Sequence, residues 1–132
     1  MFTEEMARPP KRTPTILVID DDPSILEIET IVLADHGFNV IPSNSAKEAL
    51  AIVADSGPID LVLCDLVLVG EMDGWSFAER SREIRPKIKI VFTSGYVAAP
   101  AIANLESTGT HVLRKPWRPD ELIVFIRRAL AS

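Results

Sequence analysis

The chain has 132 residues, enough for one domain, and its 47% hydrophobic and 25% charged residues are typical of a soluble globular protein. A net charge of −5 argues against a nucleic-acid-binding face, and no apolar run approaches the length of a membrane span. The single Cys64 lies in an apolar run, which predicts a buried thiol in a reducing, cytoplasmic compartment.

The first residues are polar and aperiodic. They predict a flexible amino-terminal arm (1–13), followed by one domain at 14–132. The aliphatic run Ile16–Ile19 predicts a buried strand, and Pro23 then begins a helix with Asp22 as its N-cap. The buried stripe predicted for this helix consists of Ile25, Ile28 and Val32, with Leu33 beside it.

The remaining elements continue an alternation of strands and helices. Further strands are predicted at Phe38–Ile41, Ile59–Cys64, Lys87–Phe92 and His111–Leu113. Further helices are predicted at about 45–54, 75–84, a weak segment ending near 107, and Pro119–Ala131. Five strands alternating with five helices predict an α/β sandwich with a parallel sheet.

Polar side chains follow four of the five predicted strands. Asp20 and Asp21 follow the first strand, Asp65 the third, Thr93 the fourth and Lys115 the fifth. Ligands of open parallel sheets bind beyond the carboxyl ends of the strands, so these groups converge if the first and third strands are neighbours. Converging carboxylates need a cation, and an all-oxygen ligand set favours Mg²⁺ or Mn²⁺ over zinc. A carboxylate in such a site can form an aspartyl phosphate, which a hydroxyl and an ammonium group would stabilise.

Taken in order, short motifs along the chain resemble those of the receiver domain of two-component response regulators. They are "ILVIDDDP" from Ile16, the strand-ending Asp65, "DG" at 73–74, "TSGY" from Thr93 and "KPWRPDEL" from Lys115. The resemblance covers about residues 15–130 and gains its specificity from the order and separation of the motifs. It implies the flavodoxin-like, doubly wound (βα)5 sandwich of chemotaxis-type receivers, with a parallel sheet in the order 2-1-3-4-5.

The resemblance also implies a role for each polar residue of the site. Asp65 would accept a phosphoryl group from a sensor histidine kinase or a histidine phosphotransfer protein. The ligands implied for Mg²⁺ are Asp20, Asp21, Asp65 and the backbone carbonyl of Val67. Lys115 and Thr93 would contact the phosphoryl group, and the Lys115–Pro116 peptide would be cis. The face of the fourth helix, fifth strand and fifth helix would bind a downstream protein, with a homodimer left open.

Several positions depart from the family pattern. Val69 stands where the family usually has proline, and Val112 stands where it usually has Tyr or Phe, which argues against an aromatic switch coupled to Thr93. Val67 and Gly95 offer no polar side chain to orient a hydrolytic water. Slow self-dephosphorylation is therefore expected.

Three functional hypotheses remain open at this point. The leading one is a signalling module that is not an enzyme. Because the chain ends with the predicted fifth helix, a stand-alone receiver without an output domain is favoured over a fragment of a longer regulator. The second is a Mg²⁺-dependent aspartyl-phosphate phosphohydrolase, although Val67 stands where such enzymes place an acid, two residues after Asp65. The third is a constitutive, non-phosphorylated interaction module, which the unusual Val69 and Val112 favour.

Overall fold

The computed structural model describes residues 12–55, 57–68, 70, 72–95 and 99–132. The strands are β1 (Thr15–Ile19), β2 (Asn39–Ser43), β3 (Leu61–Asp65), β4 (Ile90–Ser94) and β5 (Val112–Arg114). The helices are α1 (Pro23–Asp35), α2 (Ala46–Ala54), α3 (Gly74–Ile84), α4 (Ala99–Glu106) and α5 (Pro119–Ala131). The predicted alternation of five strands and five helices is confirmed. No helix in the described part of the chain combines the length and apolar character needed to cross a membrane.

All neighbouring strands of the sheet are parallel, and their order is β2-β1-β3-β4-β5, as predicted. The chain moves from β1 outward to β2 and then returns past β1 to β3. The direction of winding therefore reverses between β1 and β3, which creates the crevice where open α/β sheets bind ligands.

Two apolar layers cover the faces of the sheet. In β1, Leu17 and Ile19 enter the layer formed with α2 and α3, whereas Ile16 and Val18 enter the layer formed with α1 and α5. These four side chains are at most 1% exposed. A parallel strand that is covered on both faces needs apolar residues at every position, which explains the continuous aliphatic run.

The start of α1 agrees with the sequence prediction. The Asp22 carboxylate accepts hydrogen bonds from the N–H groups of Ser24 and Ile25 at 2.9 and 3.3 Å. Pro23 occupies the first turn, where its missing N–H costs nothing. Gly37 follows the helix with φ +87°, the left-handed conformation that glycine adopts without strain.

The predicted buried stripe of α1 is only partly correct: Leu33 is buried and Val32 packs against the core, but Ile28 is not buried. Ile28 is 51% exposed and Ile25 and Val32 are half-buried, whereas Glu29 and Leu33 are 1% and 0% exposed. Residues four apart lie on one helix face, and α1 is rotated so that the face of Glu29 and Leu33 meets the sheet. The prediction failed because it ranked positions by hydrophobicity, and a carboxyl side chain occupies a position that faces the sheet.

The ends of β3 and β4 include polar residues that the sequence analysis placed after them. Asp65 is the last residue of β3, and Thr93 lies opposite it in β4. Backbone pairing continues to the point where the chain turns away, whatever the polarity of the side chains.

Parts of two sequence predictions lie outside the described residues. The predicted arm at 1–13 is described only at its last two residues, and there Arg12 donates two hydrogen bonds, of 2.9 and 2.6 Å, to the Asp60 carboxylate. Val69, in the loop between β3 and α3, is also outside them.

Candidate functional site

Three carboxylates converge at the carboxyl end of the sheet. Asp20 follows β1 and is 0% exposed, Asp65 ends β3 and is 7% exposed, and Asp21 is half-buried. One oxygen of each carboxylate lies within 4.8 Å of the corresponding oxygens of the other two. The cluster forms because β1 and β3 are adjacent in the sheet.

Lys115 bridges two of these carboxylates. Its Nζ donates hydrogen bonds to Asp20 Oδ2 at 2.8 Å and to Asp65 Oδ2 at 2.9 Å. Burial by itself lowers the pKa of Lys115, but the hydrogen bonds to Asp20 and Asp65 outweigh it and the pKa is raised. Lys115 is therefore a fixed positive charge. The Lys115–Pro116 peptide that follows β5 is cis, in agreement with the sequence expectation.

Backbone N–H groups hold the other oxygens of the same two carboxylates. Asp20 Oδ1 accepts a hydrogen bond of 2.9 Å from the N–H of Asp22, and Asp65 Oδ1 accepts one of 3.1 Å from the N–H of Val67. Each bond spans two residues, the local pattern by which an aspartate shapes a turn. Each carboxylate is thus oriented by its own loop on one side and by Lys115 on the other.

The cluster carries more negative than positive charge. Three carboxylates face one ammonium group, and desolvation raises the pKa of Asp65 even though the hydrogen bond from Lys115 acts in the opposite direction. A divalent cation would favour the ionised carboxylates. Because all the side-chain donors are oxygens, the residues fit Mg²⁺ or Mn²⁺.

Thr93 adds a hydroxyl group beside Asp65. Thr93 is 1% exposed, and its Oγ1 has no hydrogen-bond partner among the described residues. Its backbone is fixed, since the Thr93 carbonyl accepts a hydrogen bond of 3.0 Å from the N–H of Leu66. A buried hydroxyl without a partner is costly, so an oxygen acceptor placed against it would stabilise this part of the site.

A cavity of about 580 Å³ opens onto the cluster. Its charged lining residues are Asp20, Asp21, Asp22, Asp65 and Lys115. Its other lining residues are Ile25, Ile28, Val67, Gly95, Pro116 and Trp117. The cavity therefore combines charged groups, suited to a cation and an anionic group, with apolar surface.

The sequence analysis missed Glu29, which lies against the cluster from α1. Burial raises the pKa of Glu29 to about 8, and the negative charge of Asp20 adds to this effect. The spacing of Glu29 four residues before Leu33, on the same helix face, was a signal that could have revealed its burial.

The sequence analysis also missed how closely α3 approaches β3. A Cβ added to Gly74, the first residue of α3, would lie 2.1 Å from the Asp65 carbonyl oxygen. The preceding Asp73 caps the helix, since its carboxylate accepts a hydrogen bond of 2.8 Å from the N–H of Ser76. The "DG" pair thus starts a helix directly against the end of β3.

The structure brings together most of the residues that the sequence predicted for the site. Asp20, Asp21, Asp65 and Lys115 form one cluster, and Thr93 lies on the adjacent strand. The roles assigned to these residues, and to the carbonyl of Val67, stay predictions.

Comparisons with known proteins give one consistent family. A model of the response regulator receiver domain matches residues 16–127. The DNA-binding response regulator MtrA of Mycolicibacterium smegmatis is 36% identical over 115 residues, which cover 87% of this chain and 50% of that protein. A putative NtrX-like response regulator of Rickettsia bellii is 30% identical over 116 residues, which cover 86% of this chain and 24% of that protein.

Solved structures agree with this family. A response regulator receiver protein from Sinorhizobium medicae superposes with a TM-score of 0.81 at 31% identity, covering 92% of this chain and 97% of that one. A CheY-like receiver domain from Methanospirillum hungatei gives a TM-score of 0.80 at 27% identity, covering 91% and 95%.

The chain spans about half the length of MtrA and about a quarter of the NtrX-like protein. The expectations of a stand-alone receiver, of no nucleic-acid partner and of a cytoplasmic location therefore stay predictions. Phosphorylation and Mg²⁺ binding at an acidic pocket are general in the matched family. The chain belongs to the response regulator receiver domain family.

Proposed function

We propose that the chain is a phosphoacceptor domain in which Asp65 takes a phosphoryl group from a phosphohistidine of a sensor histidine kinase or a histidine phosphotransfer protein. The observation that supports this most directly is the cluster itself, in which Lys115 Nζ lies 2.8 Å from Asp20 and 2.9 Å from Asp65. A structural ion pair would need one carboxylate, whereas this lysine bridges two and Asp21 adds a third to the cluster. The surplus negative charge suits a cation that accompanies a phosphoryl group.

In the proposed transfer, an oxygen of the Asp65 carboxylate forms a bond to phosphorus while the bond from phosphorus to the donor imidazole nitrogen breaks. The imidazole leaves with the electron pair of that bond and takes up a proton. Asp65 suits the role of nucleophile because the Val67 N–H and Lys115 hold its carboxylate beside the cavity, where Asp65 is 7% exposed. Positioning of this kind supplies much of the rate enhancement in phosphoryl transfer.

We assign the cation to Asp20, Asp21, Asp65 and the backbone carbonyl of Val67. Bound there, Mg²⁺ would neutralise charge on the phosphoryl oxygens, and Mn²⁺ could replace it. The carboxylates of Asp20 and Asp65 are already oriented by hydrogen bonds to backbone N–H groups, so little reorganisation is needed when the ion binds.

After transfer, Lys115 and Thr93 contact the phosphoryl group in this proposal. Lys115 keeps its positive charge because two carboxylates face it, and it can exchange one of them for a phosphoryl oxygen. The Thr93 hydroxyl, which has no partner among the described residues, gains an acceptor. Two new charge-assisted contacts can bias a two-state switch, read by a downstream protein at the face of α4, β5 and α5 or by a second copy of the chain.

Membership of a signalling family favours this reading over the phosphohydrolase. The residue two positions after Asp65 is Val67, whose apolar side chain is 46% exposed at the cavity and cannot act as an acid or base. The constitutive module is less favoured, because a purely structural cluster gains nothing from an unpartnered Thr93 hydroxyl.

The test is incubation of the protein with Mg²⁺ and acetyl phosphate, followed by intact-mass measurement. We expect the mass to increase by one phosphoryl group, and Asp65→Asn to remove this increase. Asp22→Asn is the matched control, since it removes a neighbouring charge but keeps a side chain that caps α1. Continued release of phosphate from simple esters would favour the hydrolase, and an unchanged mass in the wild type would favour the constitutive module.

A further inference from the structure

The end of β4 lies between the proposed phosphoacceptor and the first turn of α3. Thr93 lies opposite Asp65 in the sheet, and its carbonyl accepts a hydrogen bond of 3.0 Å from the N–H of Leu66. The carbonyl of Leu66 in turn accepts a hydrogen bond of 3.2 Å from the N–H of Gly74, the first residue of α3. The backbone of Leu66 therefore joins the end of β3 both to β4 and to α3.

An aromatic contact joins β4 and α3 a second time. The rings of Trp75 and Phe92 have centroids 5.9 Å apart and an angle of 31° between their planes. Centroid separations of about 4.5–7 Å are those of attractive aromatic pairs. Phe92 is 0% exposed and directly precedes Thr93, whereas Trp75 directly follows Gly74 and is half-buried. The start of α3 is therefore attached to the end of β4 by a backbone route and by a side-chain route.

Close packing along both routes makes the start of α3 sensitive to a small displacement of β4. A Cβ added to Gly74 would lie 2.1 Å from the Asp65 carbonyl oxygen, so the start of α3 is in close contact with the end of β3. Phe92 is enclosed, and its two neighbours in the sheet, Cys64 and Val112, carry no aromatic ring. Closely packed interiors transmit strain, so a shift of β4 that carries Phe92 with it also displaces the ring that Phe92 contacts.

We propose that the contact between Trp75 and Phe92 transmits the response to phosphorylation from Thr93 to the start of α3. This inference rests on the proposed function, in which the Thr93 hydroxyl gains an acceptor on the phosphoryl group of Asp65. The new contact draws the end of β4 towards β3, Phe92 moves with it, and the ring of Trp75 follows. Trp75 takes no part in phosphoryl transfer. The start of α3 thus joins the elements that differ between the two states of the switch.

Fluorine NMR of protein labelled with fluorotryptophan follows the two tryptophans of the chain separately. The resonance that is missing from the spectrum of Trp117→Phe belongs to Trp117, and the other belongs to Trp75. With Mg²⁺ and acetyl phosphate, we expect a shifted Trp75 resonance whose area matches the phosphorylated fraction measured by intact mass. Asp65→Asn should show no shift under the same conditions.

Two variants distinguish transmission through the ring contact from a direct effect of the new charge. Thr93→Val keeps the shape of the side chain but removes the hydroxyl, so its phosphorylated form should lack the Trp75 shift. Phe92→Leu removes the ring that Trp75 contacts and should lack the shift too, with Phe92→Met in its place if the leucine variant does not fold. Phe125→Leu is the matched control, because it removes a ring from the layer of α1 and α5, and it should keep the shift.

A Trp75 resonance that is the same with and without the phosphoryl group would overturn the inference and leave the proposed function intact. This is also the result expected if the ring contact only stabilises the core. A shift that persists in phosphorylated Thr93→Val or Phe92→Leu would overturn the inference as well, because the response would then bypass the contact. If the wild type takes up no phosphoryl group, the proposed function fails and the inference fails with it.

Discussion

Replacing Gly74 by alanine tests whether the start of α3 fixes the end of the strand that carries Asp65. The new Cβ would lie 2.1 Å from the Asp65 carbonyl oxygen and 3.0 Å from Leu66 Cα, whereas ordinary contacts begin at 3.4 Å. Both neighbours are backbone atoms, so neither can turn aside like the end of a side chain. Either α3 or the end of β3 has to move by about 1 Å.

The expected cost follows from two opposing effects. Overpacking of this kind costs about 1–3 kcal/mol. In the variant, the same displacement would also weaken the hydrogen bond of 3.2 Å from the Gly74 N–H to the Leu66 carbonyl. Alanine recovers up to about 1 kcal/mol, because glycine loses more conformational entropy on folding and is a poorer helix former. We expect Gly74→Ala to lower the free energy of unfolding by about 1–3 kcal/mol overall.

The rate of phosphorylation should also fall in this variant. Displacement of a reacting group by about 1 Å can lower a reaction rate by up to about a hundredfold. We expect the initial rate of phosphoryl uptake from acetyl phosphate to fall by about tenfold or more in Gly74→Ala, measured by intact mass on protein that circular dichroism shows to be folded. Gly57→Ala is the matched control, since a Cβ there would meet nothing within 4 Å. If both variants have the same unfolding midpoint and the same phosphorylation rate, α3 does not fix Asp65.

The other predictions concern the acidic residues, the lifetime of the phosphoryl group and the cation. Asp21→Ala should abolish Mg²⁺-dependent phosphorylation. Asp22→Ala should mainly lower the free energy of unfolding in urea by about 1 kcal/mol, because the helix cap is lost. Similar phosphorylation in the two variants would contradict the assignment of Asp21 to the metal site and Asp22 to the cap. The phosphoryl group should be long-lived, and Val67→Gln should speed its loss by about tenfold, equal to about 1.4 kcal/mol, because a polar group can then orient a water. A wild-type lifetime of seconds in Mg²⁺, measured by intact mass after removal of the donor, would refute that reasoning. Mg²⁺ at a hundredfold excess over its dissociation constant should raise the free energy of unfolding by about 2.7 kcal/mol in wild type, and no such gain should occur in Asp21→Ala.

Local sequence was sufficient for the order of the elements and for several of their ends. Some features depend only on residues that are close in the sequence. They are the aliphatic run of β1, the Asp22 cap with Pro23, and the left-handed Gly37. The strand order came from the family resemblance, and the sheet confirms it. Because parallel strands deliver their carboxyl ends to one edge, the polar residues after them could be assigned to a common site.

Other features depend on contacts between distant parts of the chain. The hydrophobic spacing of α1 favoured Ile25 and Ile28 as part of its buried face, yet packing against the sheet buries Glu29 and leaves Ile28 exposed. Helix propensity and hydrophobic periodicity describe a helix by itself. The rotation of the helix about its axis depends on how well the helix surface and the sheet surface pack together.

The sequence by itself indicated which groups the site contains: the acidic residues that follow β1 and end β3, the hydroxyl of Thr93 and the ammonium of Lys115. Only the tertiary structure decided that Lys115 bridges Asp20 and Asp65, that α1 buries Glu29, and that α3 can approach β3 only through a glycine. Residue types and their order are local properties of the chain. Distances of a few ångströms between groups as many as 95 residues apart arise only when the layers pack together.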